Sequence, residues 1–253
     1  MLKQIFKPGT FLDRDVEAWQ LETWAELMDR LGGRSALAET PLVLPTRDFF
    51  PPTEASGHAR AEHVFAIVRS LMGMDDNWPC RLEAQPIRRG PQKVSDFVVV
   101  LGGEDPNGTF RVEPSGEVVI SYAPDLVDHP VQMVSTFAHE LAHYLLAMQE
   151  PFGEEETHEL ATDLTVIYAG FGVFGANAAF AFEQHGDAFS QGWTSQRSGY
   201  LSPRSWVFGL AVFETLRGTR GEAQAHLKYD LRAPYREALK YLVKRPEVLS
   251  ALP

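Results

Sequence analysis

The residues with the clearest chemical potential are His139-Glu140-Leu141-Ala142-His143. Two histidines four positions apart on a helix share one face, about one turn and roughly 6 Å of rise from each other. Both imidazoles can then reach one tetrahedral Zn²⁺ ion. Glu140, next to the first histidine, is placed to take a proton from the attacking water. The run therefore names two metal ligands, a general base and a hydrolytic reaction together.

A helix must carry this motif, and the flanking residues predict one. Asp128-His129-Pro130 reads as its start, since proline near the first turn has no N–H to leave unsatisfied. Val131, Val134, Phe137, Ala138, Leu141, Ala142 and Leu145 form an apolar stripe at helical spacing. His139 and His143 border that stripe, and imidazoles facing inward need a metal or a hydrogen-bond partner. Pro151 and Gly153 predict the helix end.

A catalytic zinc keeps three protein ligands and one open position. The longer metzincin pattern needs Gly at 146 and His at 149, and the chain has Leu146 and Gln149. The next segment, Glu154-Glu155-Glu156-Thr157-His158-Glu159-Leu160-Ala161-Thr162-Asp163, reads as a second helix after a short turn, expected to pack antiparallel to the first. Glu159 and Asp163 share one face of it. Either carboxylate, or His158, could be the third ligand, and a neighbouring carboxylate could hold a ligand imidazole by its N–H. Glu154 to Glu156 are acids suited to a helix N-terminus.

HExxH followed by ExxxD on the next helix resembles the gluzincin metallopeptidases, the thermolysin-like group. The short separation is also similar to that of the ImmA/IrrE-type regulatory metallopeptidases. The resemblance rests on residues 130 to 170. It implies one Zn²⁺ ion, with Glu159 as third ligand beside His139 and His143, Asp163 steadying a ligand histidine, and a peptide or protein substrate. It also implies a zincin-like α+β fold, in which a small sheet precedes the HExxH helix and one sheet edge can pair with extended substrate. Gly199-Tyr200-Leu201-Ser202 with Trp206 downstream resembles a group of bacterial proteins carrying HExxH.

Metallopeptidases need a donor for the oxyanion that forms during hydrolysis. Tyr200, in a glycine-flanked loop, is the leading candidate; Tyr122, Tyr144, Tyr168, Arg197 and His185 are rivals. The alternative to an enzyme is a zinc-stabilised regulatory or binding module with a peptidase-like core and little turnover. A fourth protein ligand, or a cleft plugged by the Pro-rich 40 to 57 segment, would favour that alternative.

Around the motifs, 253 residues suffice for a large core. Residues 12 to 32 predict a helix anchored by Val16, Trp19, Leu21, Trp24, Leu27 and Leu31 and stopped by Gly32-Gly33. Residues 40 to 57 are a proline-rich connector and 58 to 73 a second helix. Phe97 to Leu101 reads as a strand, and Thr109–Val112 and Val118–Tyr122 as a hairpin about Pro114-Ser115-Gly116. Helices are expected from 202 to 218, 221 to 229 and 234 to 243. This predicts an α+β, predominantly helical chain in three consecutive regions: 1–90, a core at 91–183 carrying both motif helices, and 184–253, packed as one unit.

Charge and composition limit the partners. The net charge of 23 − 34 = −11 argues against nucleic acid or an anionic membrane. Leu164 to Phe182 carries no charge over 19 residues, near a bilayer-spanning length. Its glycines and lack of basic flanks predict instead a buried helix that breaks between Gly170 and Gly175. Cys80 is the single cysteine, read as a small buried residue, so no internal disulfide can form. The N-terminus lacks a signal-peptide pattern, and a cytoplasmic location is expected.

Overall fold

The computed structural model describes residues 9–74, 76–86, 92–95, 98–100, 107–149, 157–186, 200–250 and 252–253. The chain is α+β and predominantly helical, with a small three-stranded sheet ahead of the HExxH helix. It divides into two compact units, Met1–Leu44 with Phe152–Pro253, and Pro45–Pro151. This division does not follow the three consecutive regions read from the sequence. It assigns the two motif helices to different units.

The first unit is helical: α1 (Arg14–Arg30), α2 (Gly33–Glu39), α5 (His158–Tyr168), α6 (Gly172–Gly186), α7 (Pro203–Arg217), α8 (Tyr229–Val243) and α9 (Pro246–Ser250). Helix α7 is its centre and packs against α2, α5, α6 and α8. Ser202 caps α7 by accepting from the Ser205 N–H, and Gly218 ends it at φ 77°, as the Ser-Pro start and glycine stop predict. Buried polar residues join the helices, each with partners. Glu17 accepts from the Phe11 and Leu12 N–H groups (2.8 and 3.1 Å) and from the Tyr241 hydroxyl. Glu214 accepts from the Gly221 and Ala223 N–H groups (2.7 and 2.8 Å) and from Tyr235. Asn177 donates to the His226 carbonyl and accepts from the Lys228 N–H, so this polar residue on an apolar helix is satisfied.

Several boundaries differ from expectation. The inward face of α1 is Glu17, Gln20, Thr23, Trp24, Leu27 and Met28; Val16, Trp19 and Leu21 are only half-buried, because Glu17 is drawn in by backbone donors. After Gly32 (φ 94°) the chain starts a further short helix, α2, where the sequence reading assigns no element. Of the helix expected at 221–229, only a 3₁₀ turn at Ala223–His226 forms, since Glu214 binds the backbone of 221 and 223. Helix α8 starts at Tyr229 and runs through Pro234. The buried Leu231, Tyr235, Ala238 and Leu242 outweigh the one hydrogen bond that proline removes.

The uncharged segment breaks where the glycines suggest. Helix α5 ends at Tyr168, Gly170 takes φ 91°, and α6 starts at Gly172. A Cβ on Gly170 would lie 2.0 Å from the Pro41 carbonyl oxygen, and the Gly170 carbonyl accepts from the Val43 N–H at 3.0 Å. Among the described residues, no helix is long and apolar enough to cross a membrane.

The second unit holds α3 (Gly57–Leu71), β1 (Cys80–Ala84), β4 (Gly108–Val112), β5 (Val118–Tyr122), a 3₁₀ turn (Pro124–Asp128) and α4 (Pro130–Ala147). A separate antiparallel pair is formed by β2 (Gln92–Ser95) and β3 (Val98–Val100); Phe97 and Leu101 of the expected strand lie outside the described residues. The main sheet has order β1-β5-β4, with β1 parallel and β4 antiparallel to β5. The hairpin turns at Gly116 (φ 84°) as expected. Strand β1 is an addition, whose alternation of Arg81 and Glu83 with Cys80, Leu82 and Ala84 is too short to stand out.

Central strand β5 is buried along its length. Tyr122 and Phe65 of α3 each meet Phe137 of α4 edge-on, at 5.6 and 5.3 Å between ring centres. One sheet face thus packs on both helices. On the other face Val119 has Arg81 and Arg111 as cross-strand neighbours, and these arginines pair with Glu83 and Glu113. Such exposed pairs add only about 0–1 kcal/mol each; the aliphatic arms also flank Val119.

Candidate metal centre

Helix α4 begins as the sequence predicts, with Pro130 in its first turn after His129. Phe137, Ala138, Leu141 and Ala142 are fully buried and fix its rotation against the sheet. With these positions inward, His139 and His143 sit half-buried at the stripe's border, while Glu140 is 6% exposed. The His139 and His143 Nε2 atoms lie 3.1 Å apart. Their rings meet edge-on at 4.7 Å, and the ring of Phe110, on β4, stacks on His143 at 6.4 Å. Tyr144 continues this aromatic packing, between Phe110 at 5.8 Å and Trp78 at 5.1 Å.

Helix α5 carries Glu159 in its first turn and Asp163 one turn on. Asp163 is 3% exposed, and its Oδ2 accepts the Leu201 N–H at 2.9 Å. This bond ties the segment containing Tyr200 and Leu201 to the helix that carries Glu159. His158, at the start of α5, offers its carbonyl to the Thr162 hydroxyl at 2.9 Å.

His139, His143 and Glu159 each place a ligand atom within 4.8 Å of the others. Among the described residues, this is the group of His, Cys, Asp and Glu able to hold a metal ion, and neither His158 nor Asp163 belongs to it. The donor set fits zinc: two imidazole nitrogens and one carboxylate oxygen. Two nitrogens bound to one tetrahedral zinc lie roughly 3.3 Å apart, close to the 3.1 Å found between the histidines. The Phe110 ring against His143 limits the directions that imidazole can take.

The tyrosine candidates separate by their hydroxyl partners. Tyr122 is paired with His58 Nδ1 at 3.0 Å. Tyr144 donates to the Pro79 carbonyl at 3.3 Å and Tyr168 to the Leu31 carbonyl at 3.2 Å. All three are buried, and burial pushes each phenol above its ordinary range, with Glu62 adding to the effect at Tyr122. Tyr200 is 45% exposed. Arg197 and the side chain of His185 lie outside the described residues.

Three contributors at these helices were not singled out from the sequence: Phe110 against His143, the Leu201 N–H on Asp163, and Gly108 against Glu140. Phe110 and Gly108 alternate along β4, so both point to the α4 side. Leu201 adjoins Tyr200, but no sequence signal links a backbone N–H to Asp163. Cys80 lies on β1, half-buried, and burial pushes its thiol up while Arg69 draws it down.

No family model matches the chain, and no curated protein or solved structure is significantly similar to it.

Proposed function

We propose that this chain is a zinc-dependent hydrolase with a zincin-like, gluzincin-type centre that cleaves peptide bonds. The observation that carries the reading is the approach of His139, His143 and Glu159 to within 4.8 Å, with Glu140 adjoining the first ligand. When bound, zinc supplies a Lewis acid that polarises the substrate carbonyl and lowers the pKa of water.

The chain's own residues supply the rest. His139, His143 and Glu159 hold the ion. Glu140 takes a proton on its carboxylate from the attacking water and passes it to the leaving nitrogen. Its burial keeps the carboxylate away from bulk solvent, where its charge would be screened. Asp163 uses Oδ2 to hold Leu201, and a carboxylate has acceptor sites enough to steady an imidazole as well. Tyr200 is the donor assigned to the developing oxyanion. Among the described residues β1 and β4 each pair with β5 alone; β4 carries Phe110 against His143, so its outer edge is the one proposed to receive an extended peptide.

The test compares wild type with Glu140→Gln for zinc content and for cleavage of a peptide library read by mass spectrometry. Both proteins should carry zinc, and the variant should lose about 10²–10⁴-fold in rate. Full hydrolysis by the variant would overturn the mechanism. Zinc bound without hydrolysis by wild type would point to the regulatory module.

A further inference from the structure

Gly108 opens strand β4, is buried and pairs with Tyr122 of β5. Its backbone does not call for glycine, because it is not among the glycines at positive φ. Glycine in a strand also costs stability relative to alanine, because it has more backbone freedom to lose on folding. A close approach gives the reason for it. A Cβ at 108 would lie 2.6 Å from Thr136 Cγ2, 2.8 Å from Glu140 Oε1 and 2.9 Å from Glu140 Cγ. Thr136 and Glu140 are four apart on α4 and so face the strand together.

We infer that Gly108 is a positioning residue for Glu140: the side chain missing from β4 is the space in which the base's carboxylate sits. This rests on the proposed role of Glu140. Glu140 has the rotatable bonds, whereas Thr136 is stiff at χ1 and strand β4 is hydrogen-bonded to β5. An added methyl group therefore moves the carboxylate first. Restoring an ordinary contact of about 3.5 Å from 2.8 Å shifts Oε1 by about 0.7 Å. Displacements of about 1 Å at a reacting group cost on the order of 10²-fold in rate.

The experiment uses the full chain as wild type, Gly108→Ala, Thr136→Ala and the double variant G108A/T136A. The second substitution removes the 2.6 Å clash and keeps the variant foldable, while both Glu140 contacts remain. Crystal structures without added metal read the carboxylate position directly; zinc content, kcat and KM are measured in parallel. The double variant should show Glu140 displaced or in another rotamer, zinc content and KM as in wild type, and kcat lower by about 10- to 100-fold. T136A alone should match wild type. A Glu140 carboxylate that superposes on wild type in the double variant, or an unchanged kcat, would overturn the inference. If wild type binds no zinc, or E140Q hydrolyses normally, the proposed function fails instead, and the crystallographic arm still decides the role of Gly108.

Discussion

Removing the Asp163 carboxylate should release the Leu201 amide. Both residues are nearly fully buried, and the bond between them is 2.9 Å long. In Asp163→Ala the N–H loses a charged acceptor without gaining water. Loss of such a bond costs about 1.5–3 kcal/mol. At about 1.4 kcal/mol per decade, that is roughly a 10- to 150-fold faster exchange of the Leu201 amide hydrogen. Asp163→Asn keeps one oxygen acceptor and should accelerate exchange by only about 3- to 12-fold, since a neutral acceptor retains about half of the bond. Hydrogen exchange read by NMR at Leu201 is the assay, because it reports this one bond. An unchanged Leu201 rate in D163A, or equal acceleration in D163N and D163A, would refute the reasoning.

Burial pushes the Glu214 carboxyl above its ordinary 4.5, although Tyr235 and the Ala223 and Gly221 N–H groups pull it down. The folded state then holds this proton more tightly than the unfolded chain. The associated stability is full below the unfolded pKa and is lost as pH rises through the folded value, by up to about 1.4 kcal/mol per pH unit. Urea unfolding of wild type and Glu214→Gln from pH 4.5 upward should show wild type losing ground to the variant; parallel curves would contradict this. Gly170→Ala forces a Cβ onto the Pro41 carbonyl at positive φ. It should cost more than about 2 kcal/mol, a fall of about 4–8 °C in Tm by calorimetry, and an unchanged Tm would dismiss the contact. Tyr200→Phe should lower kcat by about 10²–10³-fold with zinc retained, whereas Tyr144→Phe and Tyr168→Phe should leave kcat near wild type. Equal losses in all three would remove Tyr200 from its proposed role.

The helices were legible where one residue class decides them. Pro130 and the apolar stripe placed α4, and Ser202-Pro203 with Gly218 bounded α7, because caps and periodicity are local signals. The break at Gly170 was legible for the same reason. Helix α1 was located, but its inward face was not, since Glu17 is turned in by the Phe11 and Leu12 amides and by Tyr241, 224 positions away. The expected helix at 221–229 yielded to Glu214 pulling two backbone amides across the end of α7. At the candidate centre, a histidine pair with a carboxylate from the next helix was readable because four-residue spacing places side chains on one helix face; which of Glu159, Asp163 and His158 joins the pair was not, and the ligand atoms that lie together are those of His139, His143 and Glu159. Gly108 and Leu201 were not, because a missing side chain and a backbone N–H acquire meaning only from what lies against them.

The central claim is one zinc held by His139, His143 and Glu159 with Glu140 beside it. Anomalous diffraction at the zinc edge from zinc-loaded crystals tests it most directly. The account predicts a single peak about 2.0–2.2 Å from both histidine nitrogens and a Glu159 oxygen, with Glu140 uncoordinated and one position open. A peak elsewhere, a fourth protein ligand, or no peak in protein soaked with zinc would contradict it.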